Sequence, residues 1–207
     1  MKLTMTILAV LMTSIGVAQD KYEKGMQKAF ELWKAQKTTE ASNMFERIAT
    51  AELDNWLPYY YVAQINTMVA FGEKEEKKLA QKLEKAQEFL DIAKGISPNN
   101  VEIMVQQAMI HTAWVAYDGA TYGPTLGGKV VALYQKALKM APENPRVVFS
   151  NAEWGMGSAA YFGQDTAPYC SEVKRSLELF AKFKPESAFH PNWGKERAEM
   201  VSKNCEK

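Results

Sequence analysis

Few side chains in this 207-residue sequence are equipped for covalent or acid–base chemistry. Cys170 and Cys205 are the only thiols, and His111 and His190 are the only imidazoles. Four such residues cannot build a zinc centre with ligands to spare. No His-Glu-x-x-His, Ser-His-Asp or Cys-x-x-Cys pattern is present. Gly123, Gly128 and Lys129 have the spacing of a phosphate loop, but Val130 stands where Ser or Thr must reach magnesium, and no strand precedes them. A glycine-rich approach to a helix is the expectation instead. His111 lies on the apolar face of a helical stretch and reads as a partly buried core residue. His190, before Pro191, reads as helping to begin the last helix. Glu153 and Asp165 are the one further acid–base pair that can be drawn, and nothing in their spacing holds them together. The expectation is no enzyme, no cofactor and no metal.

The cysteines are informative about compartment. Met1-Lys2 is a short positive start, Leu3 to Val17 carries no charge, and Gly16 and Ala18 supply small residues at the −3 and −1 positions of a cleavage site. That is the layout of a secretory signal peptide, too short to span a membrane comfortably. The expected division is a signal peptide at 1–18 and one helical repeat domain at 19–207, exported to the periplasm or beyond. In that setting an even pair of cysteines reads as a disulfide, the other reading being two free thiols. A Cys170–Cys205 bridge would close a loop of about 35 residues, stabilising by roughly 4 kcal/mol in the chain-entropy model. The 25 Lys+Arg nearly balance 24 Asp+Glu. Lys2 is the only charge in 1–18, so the mature chain is neutral, which argues against a nucleic-acid partner. No later segment is apolar enough to span a membrane.

The elements that must position these residues follow a repeat. Ala86, Leu90, Ala93 and Pro98 share their spacing with Val130, Tyr134, Ala137 and Pro142, and with Val173, Leu177, Phe180 and Pro185. Ala41, Phe45 and Ile48 begin the series, with Leu53 in place of proline. The markers at 53, 98, 142 and 185 are 45, 44 and 43 residues apart. Steps of four and three put the apolar residues on one helical face, and the proline falls just past the helix end. Each such B helix is preceded by an amphipathic A helix carrying a small residue where the two cross: Ala29, Ala63, Ala108 and Ala152. Asn144 is placed to cap the last A helix, with Pro145 at its first position. A final helix from about Trp193 to Asn204 caps the stack.

This pattern resembles the tetratricopeptide repeat, which places a small residue in helix A, then Ala, an aromatic or Leu, Ala and Pro in helix B. Ala63 and Ala108 with their following B helices carry the likeness over residues 20–187, although no Leu-Gly pair is present and the period exceeds 34 residues. The chain as a whole resembles exported tetratricopeptide-like proteins of Gram-negative bacteria and, more distantly, the periplasmic repeat component of TRAP-type transporters. The resemblance implies an all-α, TPR-like α-solenoid of about four helix pairs with enlarged A–B hairpins and a C-terminal capping helix.

The resemblance also implies where a ligand would lie: along a concave surface made by positions 2, 5, 9 and 12 of the A helices. Those positions include Met26, Phe30, Trp33, Tyr60, Gln64, Val105, Met109, Arg146, Phe149 and Glu153. They are mainly apolar and aromatic, and they lack the Lys, Asn and Arg set that clamps carboxylates in some chaperone adaptors. An apolar groove suits a protein or peptide partner, or a small apolar ligand. The alternative is that the chain's own superhelix or terminal helix covers the stripe. The surplus residues fall between helices A and B. They give a charged stretch at 73–78, a glycine-rich segment at 118–129 with Asp118, Thr121 and Tyr122, and a segment at 163–170 with Asp165. The two Tyr- and Asp-bearing segments are expected as neighbouring loops on one side of the solenoid, often its binding side, and make Asp118, Thr121, Tyr122 and Asp165 a second candidate ligand site. The function expected is a non-catalytic exported scaffold for a protein or peptide in the cell envelope. The alternative is a small-ligand-binding accessory protein of a transporter system.

Overall fold

A computed structural model describes residues 19–205. The signal peptide expected at 1–18 lies outside the described residues. Nine helices pack in consecutive pairs, with no strand among the described residues. The first pair is α1 (19–34) and α2 (Thr38–Ala51), the second α3 (Trp56–Ala70) and α4 (Glu76–Ile96). The third is α5 (Val101–Tyr117) and α6 (Gly119–Met140), the fourth α7 (Pro145–Tyr161) and α8 (Cys170–Lys182), and α9 (Lys195–Asn204) packs on α8. Neighbouring A helices also touch, α3 against α5 and α5 against α7. The chain is an all-α helical repeat.

The sequence pattern explains why. Ala29, Ala63, Ala108 and Ala152 are all buried where each A helix meets its partner. Ala86, Leu90, Ala93, Val130, Tyr134, Ala137, Val173 and Phe180 line the buried faces of the B helices. Asparagine begins three A helices: the side chains of Asn55, Asn100 and Asn144 accept the backbone N–H of Leu57, Glu102 and Arg146. Each cap satisfies an otherwise orphaned donor, worth about 1 kcal/mol.

The structure changes three boundaries. The segment at 118–129 is not a loop but the first three turns of α6, despite four glycines and Pro124. Asp118 ends α5 and caps α6, accepting the N–H of Ala120 and Thr121 and the Thr121 hydroxyl. The Trp114 ring packs on Tyr122 of the same stretch, 4.8 Å between centroids. Cap and packing together outweigh a glycine penalty of about 1 kcal/mol per residue. Secondly, of the three glycine-marked A-helix ends, only Gly163 takes a left-handed conformation (φ +66°). The 163–169 segment is then a loop ending in a 3-10 turn, Ala167–Tyr169, pinned because Gly155 leaves room for the Tyr169 ring. Thirdly, the last helix begins at Lys195 rather than Trp193. Gly194 takes its N-cap position at φ +104°, so Trp193 lies in the irregular segment before it, and His190 in a turn closed by its N–H on the Ser187 carbonyl.

Candidate functional site

The inner face of the A helices is closed at one end and open at the other. Along α3, Tyr60, Gln64 and Thr67 are buried, and one turn on, Phe71 is 42% exposed. Along α5, Val105 is buried, Met109 and Thr112 are half-buried, and Ala116 is exposed. Along α7, Arg146 and Phe149 are buried, Glu153 and Met156 are half-buried, and Ala160 is exposed. In α1, Met26 is buried and Phe30 and Trp33 are half-buried.

Residues 183–194, between α8 and α9, fill the closed end. Phe189 lies parallel to Phe30 and edge-on to Tyr22. The Tyr61 hydroxyl donates to the Phe189 carbonyl at 2.7 Å, and the Trp193 indole N–H donates to the Tyr60 hydroxyl at 2.8 Å. The surface expected to receive a partner at Met26, Tyr60, Gln64, Val105, Arg146 and Phe149 is therefore interior.

The closing segment sits over a buried ion pair. Arg146 meets Glu102 through two parallel bonds, Nε to Oε2 at 2.6 Å and Nη2 to Oε1 at 2.7 Å, with both side chains at most 1% exposed. Asn144 donates to the same carboxylate at 2.7 Å, the His190 imidazole lies 3.8 Å from it, and the Phe183 ring covers the guanidinium at 4.3 Å. Burial alone would raise the Glu102 carboxyl, but bonds from Arg146, His190 and Asn144 outweigh it and bring it down to about 2. Glu102 and Arg146 stand 44 residues apart, each just inside an asparagine-capped A helix. That repeat-spaced opposite charge was the available sequence signal.

The open end holds a cavity of about 480 Å³ between the C-terminal ends of α3 and α5. Ala70, Ala113 and Ala116 make its apolar part, Phe71 and Tyr117 its aromatic walls, and Glu73, Lys74 and Asp118 its rim. Two phenols brace it. The Tyr117 hydroxyl donates to the Lys74 carbonyl at 3.4 Å, and the Tyr122 hydroxyl to Glu76 Oε1 at 2.7 Å. The bond to the Glu76 carboxylate pushes the Tyr122 phenol up to about 12. Both rim carboxylates are held below the usual range: Glu73 by the N–H of Glu75 and Lys74, Asp118 by the Thr121 hydroxyl and N–H. The rim is therefore charged at neutral pH, and the surface that the cavity exposes is more polar than apolar, with the alanines and the two rings as its apolar part.

The remaining candidates fall in separate places. Asp118, Thr121 and Tyr122 share the first turn of α6 beside this cavity. Asp165 caps Ala167 within its own loop. Glu153 is taken up by Arg197 at 2.6 Å, so it makes no pair with Asp165. His111 is half-buried with Gln107 3.4 Å away, and burial lowers its pKa and keeps it neutral. Cys170 and Cys205 are bonded, with Cα atoms 5.8 Å apart. Among the described residues no group of His, Cys, Asp and Glu could hold a metal ion, and no helix is long and apolar enough to cross a membrane. The sequence placed a candidate site at Asp118, Thr121 and Tyr122, beside this cavity, and missed Phe71, Ala116 and Tyr117. Their signal is an alanine followed by an aromatic at three of the four A-helix ends: Ala70-Phe71, Ala116-Tyr117 and Ala160-Tyr161.

No protein-family model matches the chain, and no curated protein matches it. Among solved structures the chain is similar to the HusA haemophore from Porphyromonas gingivalis, with a TM-score of 0.78 and 24% sequence identity. The match covers 89% of this chain and 92% of that one. At that identity the likeness is one of fold.

Proposed function

We propose that this chain is an exported, non-catalytic carrier of a flat apolar ligand of the haem class, held at the open end of its A helices. The observation that carries the reading is the burial gradient: the solenoid's inner face is covered at one end by its own residues 183–194, and at the other end it becomes exposed, with a cavity beside Phe71, Ala116 and Tyr117. A cavity of this size, with three alanines and two aromatic rings behind a charged rim, is in the volume range of small-molecule sites. The shared fold with a protein named as a haemophore supplies the ligand class. The sealed groove favours this reading over a peptide scaffold, because the peptide's place is already taken. A periplasmic or secreted location accords with the disulfide.

The donor set fits the ring rather than the iron. The cavity lining offers no imidazole, thiol or thioether, and Tyr117 is its only phenol. Ring-face contacts with Phe71 and Tyr117 and burial against the alanines supply the affinity. Lys74 is the cation available to a propionate. Titration with haemin and with metal-free protoporphyrin IX, followed by quenching of tryptophan fluorescence, tests this. Both should bind, with affinities within about tenfold. Ala116→Trp, which fills the cavity from an exposed position, should abolish binding of both without loss of thermal stability. Equal binding by that variant, or no binding by the wild type, would refute the proposal.

A further inference from the structure

We infer that the ligand site extends past the cavity onto Tyr161 and Phe162 at the end of α7, so that three repeats hold one flat macrocycle, with Gly119 setting the second wall. The inference rests on the proposed haem-class reading and concerns how far that site reaches.

The first observation is continuity. Asp118 lines the cavity, and Gly119 is the next residue in the chain. The Tyr161 ring lies against Gly119 so closely that a β-carbon there would sit 2.9 Å from Cε2, 3.1 Å from Cζ and 3.4 Å from the hydroxyl oxygen. The Tyr161 ring therefore packs against the residue that follows the cavity's Asp118 in the chain. A glycine at the first position of a helix otherwise weakens it, and here it makes room for an aromatic side chain from the next repeat.

The second observation is exposure. Tyr161 is 62% exposed and Phe162 is 71% exposed, and the two rings meet edge to face at 5.1 Å. Their order does not come from burial. Two exposed aromatic rings in contact offer a flat ligand a face to rest on. The third observation is dimension. Neighbouring helix axes stand about 8–10 Å apart, and a substituted four-pyrrole ring is wider than that. A macrocycle entered between α3 and α5 must rest its far edge beyond α5. The surface there belongs to the next A helix, α7, and it carries Tyr161 and Phe162. A small aromatic molecule would need only the Phe71–Tyr117 half.

The test compares two probes on the full chain: protoporphyrin IX, and anilinonaphthalene sulfonate as a compact apolar anion. Phe162→Ala and Gly119→Ala should each weaken protoporphyrin binding roughly tenfold while leaving the compact probe unchanged. Phe71→Ala should weaken both. Gly119→Ala acts only by displacing Tyr161, and the probe comparison separates that positioning role from a general loss of structure. An unchanged melting temperature is expected for Phe162→Ala, whose side chain is exposed, and at most a small change for Gly119→Ala, because the Tyr161 ring it displaces is itself exposed. If Phe71→Ala weakens protoporphyrin binding but Phe162→Ala and Gly119→Ala do not, the extended site is wrong and the carrier reading stands. If the wild type does not bind protoporphyrin, the carrier reading fails and takes this inference with it.

Discussion

Replacing Arg146 by Met is expected to cost about 3–5 kcal/mol of folding stability at neutral pH. The cost is not the value of the ion pair itself. It is the penalty for leaving the Glu102 carboxylate buried with Asn144 and His190 as its remaining neighbours. Replacing both partners, as Glu102→Leu with Arg146→Met, should recover most of the loss, because two apolar side chains of similar volume need no partners there. The pH dependence has a definite sign. In the wild type the folded-state pKa of Glu102 is depressed to about 2. The pair's contribution is therefore full above the ordinary carboxyl pKa of about 4.3 and is lost as pH falls through the folded value. In Arg146→Met the buried carboxyl prefers to be protonated, so acid relieves the variant. The stability gap should be widest near pH 7 and should narrow below about pH 4.5. Urea melts of the wild type, the single and the double variant at pH 7 and pH 4 would measure it. A single variant as stable as the wild type at pH 7 would show that the cluster does not hold the third and fourth repeats together.

The second large effect belongs to the disulfide. Cys170 begins α8 and Cys205 follows α9, so the bond closes a 35-residue loop that contains all of residues 183–194. Replacing both cysteines by serine should cost about 4 kcal/mol, by the entropy returned to the unfolded chain. For a chain of this length, with roughly 2–4 °C per kcal/mol, the melting temperature should fall by about 8–16 °C. The effect also has a place. Trp193 and Phe189 are held against α1 and α3 by contacts whose two flanking helices the bond joins. Amide exchange should therefore quicken first at 183–194, before the first two repeats respond. If exchange quickens evenly over the whole chain, the bond acts on global stability alone and does not secure the closing segment.

The helix pairs could be read from the sequence because they obey local rules. Ala86, Leu90 and Ala93 recur as Val130, Tyr134 and Ala137 because one buried helical face imposes that spacing. Asn144-Pro145 announces a helix start because cap geometry needs only neighbouring residues. The glycine-rich stretch at 118–129 was harder. Its propensity opposes helix, and what overrides it is the Asp118 cap together with packing from Trp114, on the preceding helix.

The site was hardest of all. Met26, Tyr60 and Phe149 look like a binding face in sequence, since an apolar residue at an inner position reads the same whether a ligand or the chain covers it. Phe183, Phe189 and Trp193 lie in a segment with no helical period. The destinations of Phe189 and Trp193 depend on Tyr61 and Tyr60, more than 120 residues earlier, and that of Phe183 on Arg146 of α7. Glu102 and Arg146 read as surface charges singly, and only the 44-residue spacing ties them together.

The measurement that bears most directly on the central claim is an amide-resolved NMR titration of the isotope-labelled protein with protoporphyrin IX. Ring-current shifts should concentrate at 68–75, 113–119 and 160–163, where the A helices end, and the amides of 183–194 should hold their positions. Shifts centred instead on 183–194 and the N-terminal ends of α3 and α5 would mean that the closing segment leaves its place to admit the ligand. That result would contradict a carrier whose site is the open end of the solenoid.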